Sequence, residues 1–153
     1  MDAVRLILTS SRALAGSGGS GRTLTEVWQA QALAQAIGSR LAVSGPPELR
    51  GEALRLTELA GRGCGVLDTP DLDHGDLLAA RLTELDDARE ALLRLAELLG
   101  EVGIALVGVA SSAADEGTYW QCMEAIDAAD ESRDRILEML RKLAAREGAL
   151  REG

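Results

Sequence analysis

LDDAREALLRLAELLGEVGIALVGV, residues Leu85–Val109, is the stretch that decides the fold. Within it Leu85, Ala88, Leu92, Leu95, Leu99, Val102, Leu106 and Val109 recur in steps of three and four without a break. Such steps average about 3.5 residues, close to one helical turn, so all these side chains lie along one seam. A seam of that length calls for a partner helix, in the same chain or in a second copy. Beside it runs a stripe of small residues, Ala96, Gly100, Gly103 and Val107. Glycine costs a helix about 1 kcal/mol relative to alanine, so two glycines near the middle predict the close approach of another backbone.

Working outward, the flanking segments also read as helices. From Asp2 to Ala15, the residues Val4, Ile7, Leu8, Ser11 and Ala15 recur at helical spacing. The Gly/Ser tract at 16–21 then predicts flexible coil and has the composition of an engineered linker. A second helix is expected from Thr23, which forms a capping box with Glu26, through Leu24, Val27, Trp28, Leu33, Ile37 and Leu41. Gly45-Pro46-Pro47 ends it, because proline cannot continue one helix but suits the first turn of the next. The third helix is expected over Pro47–Ala60, burying Leu49, Ala53, Leu56 and Ala60 and stopping at Gly61-Arg62-Gly63. An acidic loop at 64–76 follows, then a short helical stretch through Leu77, Leu78 and Leu82. Ser111–Gly117 reads as a turn. The last helix spans about Thr118 to Glu147, with Cys122, Ile126, Ala129, Ile136, Leu140 and Leu143 on one face. Arg133 falls inside that stripe, where it would pair with Asp130 or with a carboxylate of another helix. These readings predict an all-α, antiparallel helical bundle of four to five helices, forming a single domain over residues 1–153.

Composition limits the core and the partners. With 153 residues, 46% of them hydrophobic, the chain can build a core without staples. There is no Phe, one Tyr and two Trp, so Leu, Ala, Val and Ile must fill it. The net charge of -9 opposes both nucleic acid and anionic lipid, since each must be met by Lys and Arg. The longest apolar run, Val102 to Ala110, is far too short for a membrane span. Met1 leads into Asp2 and an amphipathic stretch rather than a signal peptide, and two distant cysteines form no disulfide framework. A reducing cytoplasm is the expected compartment. Fifteen of the sixteen basic residues are Arg and Asn is absent, the habit of a very GC-rich genome.

Four constellations invite a functional reading. Glu124, Asp127, Glu131, Asp134 and Glu138 share one helical face, as do the metal-holding carboxylates of bundle enzymes. Their phase lies opposite the apolar stripe, however, which turns them toward solvent. In the acidic loop, Asp71, Asp73, His74 and Asp76 begin like a Ca²⁺ loop, but Gly75 is misplaced and Leu82 stands where the bidentate Glu belongs. Cys64, between two glycines, lacks the cationic surroundings of a reactive thiol, and His74 is the only possible partner for a Cys-His pair. Trp28, Tyr119 and Trp120 hold all the aromatic mass. They either close the ends of the bundle or, with Gly100 and Gly103, line an apolar ligand pocket. No cofactor or metal is implied, and no phosphate-binding or nucleophile motif is present.

The stretches WQAQALAQAIG (Trp28–Gly38), GPPELRGE (Gly45–Glu52), LGEVGIALVGVA (Leu99–Ala110) and YWQCMEAIDAAD (Tyr119–Asp130) resemble a family of uncharacterised proteins from Streptomyces and related actinobacteria. The resemblance covers most of the chain outside the Gly/Ser tract and the acidic loop, and implies no activity. The expected function is a non-enzymatic interaction module. Its partner is another protein or a second copy, a homodimer formed along Leu92, Leu95, Leu99, Val102 and Leu106. The second expectation is a binder of an apolar small molecule in a regulatory or specialised-metabolite role. A metal-dependent hydrolase ranks third.

Overall fold

The computed structural model describes residues 1–152, apart from the side chains of His74 and Glu152. The chain is 82% helical. Its five α-helices are α1 (Ala3–Ala15), α2 (Ser20–Ser44), α3 (Arg50–Gly65), α4 (Ala88–Ser111) and α5 (Glu116–Glu152). Among the described residues there is no strand, only an isolated bridge between Asp2 and Glu84. The expected all-α bundle is the observed fold.

Helix α1 starts where the Asp2 carboxylate accepts from the Val4 amide at 3.1 Å. Its buried face is Ala3, Leu6, Ile7, Ser10 and Leu14; of the expected stripe Val4, Ile7, Leu8, Ser11 and Ala15 only Ile7 is fully buried. The reason is that α2 and α4 both pack on α1, and the buried line falls where those two neighbours meet. Helix α2 starts at Ser20, inside the Gly/Ser tract, so the expected coil is shorter than 16–21. Gly19 supplies the left-handed turn before it (φ 81°), a conformation open to glycine and costly for other residues. The Ser17 hydroxyl donates to the Leu14 carbonyl at 2.7 Å and lies 3.0 Å from that of Thr23. Thr23 is therefore already helical, its hydroxyl donating to the Gly19 carbonyl at 3.0 Å, and the capping box with Glu26 does not form.

The glycines expected to stop α3 lie inside it, because they face α2 rather than end the helix. A Cβ on Gly61 would stand 2.9 Å from Gln35 Nε2, and one on Gly63 only 2.3 Å from Gln31 Oε1. From the other side, a Cβ on Gly38 of α2 would stand 2.7 Å from Thr57 Oγ1. Reading these pairs in order (38 with 57, 35 with 61, 31 with 63) shows α2 and α3 antiparallel and in close backbone contact. Since Cys64 and Gly65 complete α3, the acidic loop begins at Val66 rather than at 64. Gln29 clasps its far end: its Nε2 donates to the Asp76 carbonyl at 2.8 Å, and its Oε1 accepts from the Leu78 amide at 3.0 Å. Past that point the Ala3 amide donates to the Glu84 carbonyl at 2.9 Å, tying the loop to the start of α1.

Helix α4 starts at Ala88 rather than Leu85, because Asp87 caps it by accepting from the Glu90 amide at 3.0 Å. It occupies the middle of the bundle, packed against α1, α2 and α5. Leu92, Leu95, Leu99, Val102 and Leu106, expected to meet a second copy, are instead buried in this chain's own core. Three intramolecular neighbours suffice to cover the seam, which corrects the expected dimer interface. The stripe of small residues is corrected too. Nothing lies within 4 Å of a Cβ built on Gly103, and the nearest atom to one on Gly100 is Arg133 Nε at 4.0 Å. The close backbone approach inferred for α4 occurs between α2 and α3. Arg133 itself makes neither expected ion pair among the described residues; α5 is tied to α3 by Arg135 to Glu52 at 2.9 Å, Lys142 to Glu52 at 3.8 Å and Glu131 to Arg62 at 3.6 Å.

Candidate interaction surface

The α4–α5 hairpin is antiparallel: Arg89 pairs with Glu147 at 3.1 Å at its open end, and Gly100 lies beside Arg133 farther along. At its closed end Asp115 caps α5 by accepting from the Thr118 amide at 3.0 Å. Hydrogen bonds from Thr118, side chain first and then backbone, hold the Asp115 carboxyl below its ordinary pKa. One helical turn on, Tyr119 and Trp120 meet edge to face, with ring centroids 5.2 Å apart and planes at 82°.

These aromatics do not close the bundle. Trp120 is 60% exposed and Tyr119 40%, while on α4 Ile104 is 77% exposed and Val107 53%. Leu93, Gly100, Ile104 and Val107 share one side of α4, because their spacings of seven, four and three keep them near one angular position. That side is opposite the core seam. On α5, Tyr119 and Ile126 lie fourteen and seven residues before Arg133, placing them on the flank that adjoins α4 at Gly100. The outer surface of the hairpin therefore presents a ribbon of uncovered apolar side chains and bare glycines.

The expected pocket joining Trp28, Gly100, Gly103, Tyr119 and Trp120 does not form. Trp28 lines a cavity of about 400 Å³ with Ala32, Gln35, Cys64 and Leu77, between α2, the end of α3 and the following loop. Tyr119 and Trp120 belong to α5, and α3 and α4 lie between α2 and that helix. The Cys64 Sγ donates toward the Trp28 carbonyl at 3.6 Å, and burial pushes its pKa up to about 12. Cys122 is buried as well, and desolvation raises its thiol pKa. Both sulfurs are thus held as neutral thiols near neutral pH.

The carboxylates of α5 point away from the core. Glu124, Asp127 and Asp134 are exposed, Glu131 lies 3.6 Å from Arg62 and Glu138 lies 2.7 Å from Arg141. Among the described residues no three His, Cys, Asp or Glu side chains gather as a metal would require. The acidic-loop reading depends in part on His74, whose side chain lies outside the described residues. No helix among the described residues is long and apolar enough to cross a membrane.

A family profile described as Family of unknown function (DUF6099) matches residues 1–142, which span all the elements above except the end of α5. The chain belongs to that family. No curated protein and no solved structure matches it. The family therefore contributes no residue roles, and the α4–α5 surface stands on its own geometry. Ile104 is the residue the sequence reading passed over, and Val107 is the one it assigned to a close-packed stripe. The signal was available in the helical phase, which sets Ile104 opposite Leu95, Val102 and Leu106.

Proposed function

We propose that this member of the family is a non-enzymatic interaction module that docks a protein partner through the outer face of the α4–α5 hairpin. The observation that carries the reading is the exposure of Ile104, Val107, Tyr119 and Trp120 on one hairpin, whereas the other exposed large apolar side chains, Val43, Leu54 and Leu150, lie scattered on α2, α3 and the end of α5. Exposed apolar side chains gathered on one hairpin in this way mark binding sites on soluble domains. Two observations support a role outside catalysis: the carboxylates of α5 point outward, and neither thiol is poised to ionise. We place the protein in the cytoplasm, where its two free cysteines would stay reduced, and in an actinobacterial source, in keeping with its Arg-rich, Asn-free composition.

A second reading, a binder of an apolar small molecule, is favoured by the cavity beside Trp28 and Cys64. Native mass spectrometry of the purified protein separates the two. A protein complex of defined stoichiometry that Trp120→Ser disperses supports the interaction module. A monomer carrying added small-molecule mass, unaffected by Trp120→Ser and displaced by Ala32→Trp, refutes it in favour of the cavity.

A further inference from the structure

We propose that the outer face of the α4–α5 hairpin receives a cationic amphipathic helix from another protein. This rests on the interaction-module reading and names the chemistry of the partner. The length and form of the face come first. From Leu93 to Val107 it runs about four helical turns, or 21 Å, enough to lie along a helix of matching length. Gly103 and Gly108 have nothing within 4 Å of where a Cβ would stand, so a partner helix can settle against the backbone there.

Charge then selects the occupant. Arg94 and Arg133 stand at the Leu93–Gly100 end of the ribbon; between them in sequence the chain has no basic residue and eight acidic ones, against a net charge of -9 for the whole protein. Glu97 and Glu101 border the apolar ribbon on α4, Asp115 and Glu116 stand at the turn, and Glu124 and Asp127 project from α5 beside Trp120; all six are exposed. Glu116, Glu124 and Asp127 meet no Arg or Lys among the described residues. A second copy laid on this face would bring the same carboxylates against them, and like charges oppose that contact. Anionic lipid and nucleic acid are repelled for the same reason. An apolar small molecule would leave the acidic border unmatched. A helix with Leu or Ile at positions i, i+4 and i+7 and Arg on both margins satisfies the ribbon and its border together.

The test uses the full chain and three synthetic peptides. One is a Leu/Arg amphipathic helix, one its counterpart with Glu for every Arg, and one a scramble of the Leu/Arg composition without helical periodicity. Binding is read by calorimetry and by Trp fluorescence at low and high salt. The Leu/Arg helix is expected to bind, to weaken as salt rises, and to weaken about tenfold or more in Ile104→Gln/Val107→Gln. That variant keeps every charge and changes only exposed side chains, and circular dichroism verifies its fold. The Glu peptide is expected not to bind. Equal binding of the scramble, or an unchanged affinity in the Gln variant, would reduce the effect to bulk charge and overturn the proposal. If no peptide binds but Ile104→Gln dissociates an oligomer of the chain, the occupant is a second copy. The partner chemistry then falls and the interaction module stands. If no peptide binds and the chain is monomeric with or without the substitution, both fall.

Discussion

Replacing Gly63 with alanine tests the tightest approach in the bundle. In an open helical position, glycine to alanine stabilises by about 1 kcal/mol through backbone entropy. At Gly63 the new Cβ would stand 2.3 Å from Gln31 Oε1 and 2.5 Å from its Cδ and Nε2, well inside van der Waals contact. The Gln31 side chain is fully buried, and neither its oxygen nor its nitrogen has a hydrogen-bond partner among the described residues. Its tip must move to admit the new Cβ, and full burial gives it no solvent to move into. Overpacking of this kind costs about 1–3 kcal/mol, which cancels or exceeds the propensity gain. Gly103 supplies the control: it is helical too, and nothing lies within 4 Å of its added Cβ. Because the propensity term is common to both sites, Gly63→Ala should be less stable than Gly103→Ala by about 1–3 kcal/mol. Equilibrium urea unfolding followed by far-UV circular dichroism measures the difference. Adding Gln31→Ala to Gly63→Ala should show at least about 1 kcal/mol of coupling, since the clash exists only when both side chains are present. If Gly63→Ala and Gly103→Ala are equally stabilising, with no coupling to Gln31, the α2–α3 packing described above is wrong.

Leu99→Glu should destabilise the fold rather than release a monomer as stable as the wild type. It places an unpaired carboxylate in the core, at a cost of about 3–5 kcal/mol out of a typical 5–15; a variant that unfolds at the same urea concentration as the wild type would refute this. The thiols give a pH-dependent prediction. Cys64 has a folded pKa raised to about 12 from 9.0, so its contribution to stability is complete below pH 9 and is lost progressively between pH 9 and 12, as the unfolded chain ionises first. Urea melts across that range should fall with pH in wild type more steeply than in Cys64→Ser. At pH 8 an aromatic disulfide reagent should label the folded protein far more slowly than the urea-unfolded one; immediate labelling of the native chain would contradict the burial.

Much of the fold was legible because helical periodicity and proline punctuation are local. Leu92 through Leu106 had to be covered by something, and Pro46-Pro47 had to separate two helices. What covered the seam was not legible. A period of 3.5 looks the same whether the neighbours come from one chain or two, and only the meeting of α1, α2 and α5 on α4 decides it. Glycine misled twice for one reason, that its meaning depends on what approaches it. Gly61 and Gly63 read as a stop but accommodate Gln35 and Gln31, while Gly100 and Gly103 read as a close contact but face open space or the tip of Arg133. The surface site was half legible: Tyr119 and Trp120 stood out by rarity, Val107 was read as part of a close-packed stripe, and Ile104 was hidden in an apolar run that also carries the core residues Val102, Leu106 and Val109.

Helix α4 is anchored along one side and bare along the other, and this affects how it moves. Gly100, Gly103 and Gly108 deprive its outer edge of the side chains that would shield the backbone and restrict its dihedral angles. The second half of the helix is therefore the part that can bow or open briefly without disturbing Leu92 and Leu95. Its amide hydrogens should exchange with solvent sooner than those of the first half. A partner seated there would quiet that motion and give up some affinity in doing so. In return the ridge can adjust its curvature to its guest, so related partners of slightly different shape can share one surface.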